Sequence, residues 1–190
     1  MTERSETHRK LDAFSQHLLD ACRFVLVSPS LSANIGSAVR ALTTMGIPDL
    51  VVAAPRDAAF REDAGALALA AGAEARLAQV GSRPSLDAAL ADCQLAVAVS
   101  AEGREFGPPP AFPGPLCAEV LDMLSAGKVQ RVAFVFGTER TGLGTAEMAR
   151  CQRWLTIPAD ADYSSLNLAQ AVQIVAFSLR QAVLEREAAR

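Results

Sequence analysis

A chain of 190 residues, 51% hydrophobic and 21% charged, is the size of one globular domain with a substantial core, which argues against intrinsic disorder. Its net charge of −3 and sequence pI near 5.4 argue against indiscriminate nucleic-acid binding, a mode that rests on neutralising phosphates with Lys and Arg. Cys22, Cys93, Cys117 and Cys151 are scattered without a C-x-x-C pair, and His8 and His17 both precede the first strand-like run, so neither a zinc site nor a disulfide framework is expected.

In chain order, residues 1–10 are polar and charged, without the apolar core of a signal segment, and no apolar run approaches the roughly 20 residues that span a bilayer. The expectation is a cytoplasmic protein with reduced thiols. Residues 9–22 carry Leu11, Phe14, Leu18 and Leu19 at helical spacing. They are read as an added amphipathic helix, an extension over 1–22 that packs on the body at 23–190 or on a second subunit.

The run over 24–27 reads as a first buried strand. A helix follows over 34–45, its apolar face formed by Ile35, Ala38, Val39, Leu42 and Met45, its stop at Gly46 and Arg40 on the other face. Further strands are expected at 50–53, 95–99, 132–136 and 154–157, with a weaker one over 77–80. Helices fit 63–71, 85–91, 116–126 and 145–151, the second and last opening on Ser85 and Thr145 as caps. Residues 103–115 hold five prolines, too many for regular structure, and read as a stiff loop over the sheet edge or a connector. A closing helix over 165–186 is apolar around much of its circumference, more than one buried face needs, which points to a second partner surface and a homodimer. This alternation predicts an α/β fold, a mainly parallel sheet with helices on both faces.

Three segments stand out: Ser32-Ala-Asn-Ile-Gly-Ser-Ala-Val-Arg40, Phe136-Gly-Thr-Glu-Arg-Thr-Gly-Leu143 and Tyr163-Ser-Ser-Leu-Asn-Leu168. Each follows a strand-like run and precedes or opens a helix-like one, which places its polar groups at the carboxyl edge of the sheet, where open α/β folds bind ligands. Read by spacing alone, Asn34 is a helix cap and Arg40 a solvent-facing cation. On the same basis 137–142 is a strand-to-helix loop whose glycines admit a close ligand, and Ser165 caps a helix while Asn167 satisfies a backbone group. The acidic Glu139 and the absence of G-x-x-x-x-G-K-[ST] speak against a triphosphate loop, and the first strand lacks the G-x-G-x-x-G of a dinucleotide site. A Ser-His-Asp hydrolase would need a suitably placed histidine.

Together the three segments resemble the SpoU branch of the SPOUT superfamily, over about residues 24–180, and are closest to the bacterial tRNA (cytidine/uridine-2'-O)-methyltransferases that act on nucleotide 32 of the anticodon loop. The resemblance implies S-adenosyl-L-methionine as cofactor, methylation of a ribose 2'-hydroxyl in tRNA, or alternatively in rRNA, no metal, a homodimer and a deep C-terminal trefoil knot. By the same resemblance Arg40, Asn34, Glu139, Ser165 and Asn167 are catalytic. Val99, Ser100, Ala101, Gly137, Ile157, Ser164, Ser165 and Leu166 line the cofactor site, and Arg40, Arg104 and Arg140 bind RNA. Glu102 stands where these relatives commonly carry Arg. With a net charge of −3, RNA binding then calls for locally clustered arginines, patches joined by dimerisation, or a basic extension past Arg190.

Overall fold

In a computed structural model, which describes residues 10–101 and 109–190, strands and helices alternate along the chain. The elements are α1 (Ala13–Asp20), β1 (Cys22–Val27), α2 (Ser32–Met45), β2 (Asp49–Ala53), α3 (Ala64–Ala70), α4 (Glu74–Leu77), β3 (Gly81–Arg83), α5 (Leu86–Leu90), β4 (Leu95–Val99), α6 (Pro113–Ser125), β5 (Val132–Phe136), α7 (Thr145–Met148), β6 (Arg153–Leu155) and α8 (Leu168–Ala189). The strands form a six-stranded sheet in the order β3-β2-β1-β5-β4-β6, with every pairing parallel. All carboxyl ends therefore share one edge. Chain progression reverses beside β1, where β2 lies on one side and β5 on the other, and such reversals open a crevice at that edge.

The strands are buried runs because both sheet faces are covered. Alternation sorts their side chains by size. Phe24, Leu26, Val97, Val99, Phe134 and Phe136 face a large core shared with α1, α2, α3, α6 and α8, in which Phe24 stacks on Phe136 at 5.6 Å between centroids and packs at a tilt against Phe134 at 5.5 Å. Val25, Val27, Ala96, Ala98, Ala133 and Val135 face a thinner layer closed by Leu86 and Ala89 of α5 and by Leu143. Small residues suit the second face because only short elements lie over it. At the amino edge the buried Arg23 ties β1 to its neighbours, donating from Nε to Asp49 (2.9 Å), from Nη1 to the Ala89 carbonyl (2.8 Å) and from Nη2 to Asp92 (3.1 Å).

Several sequence expectations are corrected. The weak strand over 77–80 is instead the end of α4 and the turn after it, and β3 begins at Gly81, because Leu77 turns into the core at helical rather than strand period. The proline-rich stretch yields to helix earlier than expected: α6 starts at Pro113, since a proline in a first turn gives up an N–H that has no helical partner anyway. Thr145 does not cap α7; Gly144 takes that position, whereas Ser85 does cap α5 by accepting from the Ala88 N–H (3.2 Å). The closing helix begins at Leu168 rather than at 165, and β6 ends at Leu155, leaving Ile157 in the following loop. Helix α1 packs Leu18 and Leu19 into the main core, and Cys22 already belongs to β1.

Among the described residues no helix is long and apolar enough to cross a membrane, and no three His, Cys, Asp or Glu side chains are grouped as a metal site. The four cysteines are free, and burial pushes each thiol upward, to about 11 for Cys93 and about 12 for Cys117 and Cys151.

Candidate active site

The carboxyl ends of β4, β5 and β6 open into a cleft of about 180 Å³. Its walls come from Val99, Ser100 and Ala101 after β4, from 136–142 after β5, from Ile157 after β6, and from Ser164, Ser165, Leu166, Leu168 and Ala171 where α8 begins. The segment after β5 folds back on itself: Thr138 and Gly142 exchange backbone hydrogen bonds at 3.1 and 3.0 Å. Such a closed loop requires glycine at 137, because a Cβ there would lie 2.0 Å from the Gly142 carbonyl carbon, and glycine at 142, where φ is +61°. Beyond β6, the N–H groups of Ser164, Ser165 and Leu166 have no hydrogen-bond partner among the described residues, which leaves three donors along the cleft wall.

Beside this cleft one chain of hydrogen bonds joins all three segments singled out in the sequence. The Glu139 carboxylate accepts from the Ser30 N–H (2.8 Å) and hydroxyl, from the Leu31 N–H (3.1 Å) and from Asn34 Nδ2 (2.8 Å). Asn34 Oδ1 in turn accepts from Asn167 Nδ2 (3.0 Å), and Asn167 Oδ1 accepts from the Ala169 N–H (2.9 Å) as the cap of α8. Both amides are thereby oriented, each using its NH₂ and its oxygen on different partners. Burial alone would raise the Glu139 carboxyl, but the hydrogen bonds from Ser30 and Asn34 outweigh it and hold the group at about 2. A fixed anion here also sits at the positive end of the α2 dipole.

Asn34 is therefore not the helix cap that its spacing predicts. Leu31 is the N-cap residue, without a side-chain bond, and Asn34 is buried inside the first turn. Ser165 does not cap α8 either; it lines the cleft, while Asn167 has the capping role.

Arg140 lines the cleft and is exposed. Arg40 is exposed on α2, makes no ion pair among the described residues and is not part of the cleft wall. Six residues at about 100° each turn it roughly 120° around the helix from Asn34 and about 9 Å along it. The structure thus brings Asn34, Glu139 and Asn167 together and gathers Val99, Ser100, Ala101, Gly137, Ile157, Ser164, Ser165 and Leu166 into one cleft, but leaves Arg40 apart. Arg104 and Glu102 lie outside the described residues. Ser30 and Leu31, whose N–H groups hold Glu139, were missed because they just precede the first segment and carry no side-chain pattern of their own. Thr138 and Thr141 of the cleft wall were legible only as interior positions of the second segment.

Comparison with known proteins places these features in context. The model of the SpoU rRNA Methylase family matches residues 21–177. A tRNA (cytidine/uridine-2'-O-)-methyltransferase TrmJ from Pectobacterium atrosepticum is 42% identical over 171 residues, covering 89% of this chain and 68% of that protein. The chain spans about two thirds of the length of the curated relatives it matches, 66%, 68% and 65% in three of them. Among solved structures, a probable methyltransferase from Bordetella pertussis Tohama I is 39% identical with a TM-score of 0.83, the alignment covering 88% of this chain and 99% of that one. The SpoU methyltransferase AviRb from Streptomyces viridochromogenes, in complex with the cofactor AdoMet, shares the fold at 20% identity and a TM-score of 0.67, with 89% of this chain and 62% of that one covered.

Proposed function

The chain belongs to the SpoU methylase family, and from that premise we propose that it transfers a methyl group from S-adenosyl-L-methionine to a ribose 2'-hydroxyl of tRNA, at the cytidine or uridine of anticodon-loop nucleotide 32. The observation that carries this reading is the hydrogen-bonded chain from Glu139 through Asn34 to Asn167, which joins three distant segments beside one cleft at the carboxyl edge. The name of the TrmJ relative supports tRNA and the 2'-oxygen.

The residues of the cleft fit the cofactor. Val99, Ile157, Leu166 and Leu168 offer apolar walls for a flat ring, while Thr138, Ser164 and Ser165 and the N–H groups of 164–166, unpartnered among the described residues, offer hydrogen bonds to its polar ends. When bound, S-adenosyl-L-methionine supplies an electrophilic methyl group, and placement and electrostatics fall to the protein. A guanidinium offers donors and no acceptor, so the role of Arg40 is to hold the target phosphate or the developing alkoxide. Glu139, with a carboxyl at about 2 and four donors upon it, is a poor base as well, and its work is to orient Asn34. Ser165 and Asn167 order the cleft's edge, and Arg140 contacts RNA at its rim. The proton leaves to an RNA phosphate or to water.

Arg40 stands outside the cleft wall of its own subunit, which favours a homodimer with sites at the subunit boundary. The exposed Phe177 of α8 and Leu31 beside α2 supply apolar surface for such a contact. Residues 23–190 form the catalytic SPOUT domain with α1 appended, α8 belongs to a deep trefoil knot as in the resembled fold, and the protein is cytoplasmic. Light scattering is expected to give twice the chain mass for the active protein; a monomer at full activity would remove the dimer from this reading.

Calorimetric titration is expected to show binding of S-adenosyl-L-methionine and of its demethylated product, each raising the melting temperature by linkage. Mapping ribose methylation in total RNA from a deletion strain is expected to show loss at tRNA position 32. Loss at an rRNA ribose instead would move the substrate to rRNA, and loss nowhere, with no cofactor binding, would refute the reading.

A further inference from the structure

Tyr163 is 81% exposed, the most exposed of the large hydrophobic side chains among the described residues, and it lies next to the cleft-lining Ser164 without lining the cleft itself. Its N–H is tied into a turn. The Asp160 carbonyl accepts from the Tyr163 N–H (3.2 Å) and the Asp160 carboxylate accepts from the Asp162 N–H (2.9 Å), so the turn presents the ring from a defined position. Within the described residues the ring makes no aromatic contact and its hydroxyl no hydrogen bond. The surrounding loop, residues 156–167, contains Asp160 and Asp162 and neither Lys nor Arg. This stretch of the rim carries no cation to pair with a phosphate, and its exposed aromatic surface is the flat face of Tyr163. Cations sit elsewhere on the molecule, at Arg140 and on α2 at Arg40.

We propose that Tyr163 is a substrate-positioning residue on whose ring the base of the target nucleotide, or of its single-stranded neighbour, stacks as the ribose enters the cleft. This rests on the reading of the chain as an RNA 2'-O-methyltransferase. Stacking on an aromatic face tolerates either pyrimidine, because every base has such a face, and it becomes available only where the nucleotide is unstacked, as in a loop. Tyr163 would thereby select single-stranded RNA without choosing between cytidine and uridine.

The test compares wild type with Tyr163→Ala, Tyr163→Phe and Tyr163→Trp on an unmodified tRNA transcript carrying a pyrimidine at position 32. Tyr163→Ala is expected to lose about tenfold or more in kcat/KM for RNA, while Phe and Trp, which keep the ring, stay within about twofold of wild type. Affinity for S-adenosyl-L-methionine and the melting temperature should be unchanged in all three. The added indole of Tyr163→Trp, measured against the Trp154 background, should be quenched by the transcript but not by cofactor alone. Wild-type kinetics for Tyr163→Ala, equal damage from Phe and Ala, or a loss confined to cofactor affinity would each overturn the proposal while leaving the methyltransferase reading intact. A wild-type protein that binds cofactor yet methylates no RNA would overturn both.

Discussion

Replacing Arg40 with alanine is expected to cut turnover by about 10²-fold or more, the usual loss when a preorganised charge is removed from the place where negative charge develops. That corresponds to about 2.7 kcal/mol of transition-state stabilisation. Cofactor affinity should be spared, because Arg40 is no part of the cleft wall. Folding should be spared too, since the side chain is exposed and free of ion pairs among the described residues. Arg40→Lys should restore little, as a point-charge ammonium does not reproduce the planar fork that grips a phosphate. A transcript with a 2'-deoxy target nucleotide should not be methylated by any variant, for it lacks the acceptor oxygen. Single-turnover methyl transfer with wild type and both variants decides the matter. Near-normal rates for Arg40→Ala would take this residue out of the mechanism, and methylation of the deoxy substrate would move the reaction to the base.

Glu139→Gln is expected to damage both stability and turnover, through geometry rather than charge alone. Four donors converge on the carboxylate, from Ser30 twice, from Leu31 and from Asn34. Glutamine turns one acceptor oxygen into an NH₂, so at least one of those donors meets another donor; leaving a partly buried group unpaired costs about 1–3 kcal/mol. Asn34 loses its anchor, and with it the orientation it passes to Asn167 at the start of α8. Turnover should fall about tenfold or more, as misplacement of a positioned group commonly does. The sign of the pH effect follows from the depressed carboxyl. Its folded value of about 2 lies below the ordinary 4.5, so Glu139 stabilises the fold fully above pH 4.5, and that contribution is lost as pH falls through about 2. Thermal unfolding of wild type and Glu139→Gln should therefore differ most above pH 4.5 and converge in acid. Curves that stay parallel down to pH 2 would show that the carboxylate is not held as an anion by these donors.

Much of this architecture was legible in the sequence because it is encoded locally. The continuous apolar runs at 24–27, 50–53, 95–99 and 132–136 can be satisfied only by burial on both faces, and their alternation with amphipathic stretches specifies a parallel sheet. In such a sheet the segments that follow the strands necessarily share its carboxyl edge, so the gathering of these segments around one cleft followed from pattern before any contact was known. Short or ambiguous elements were misread for the converse reason. Gly81–Arg83 is a three-residue strand made by pairing with β2 rather than by its own composition, and Pro113 reads as a breaker until it stands in a helix's first turn.

What only the tertiary structure decided is which polar groups meet. Asn34 has a plausible local partner in the backbone of its own helix, and nothing within a few residues indicates that its amide instead spans 105 positions to Glu139 and 133 to Asn167. A lone carboxylate in a glycine loop gives no sign that four donors await it, because two of them are the backbone N–H groups of Ser30 and Leu31, which every residue but proline possesses. Periodicity records which side chains leave water. It carries no information about which buried polar group meets which, since that depends on strand order, and here β5 lies against β1 across more than a hundred residues of intervening chain.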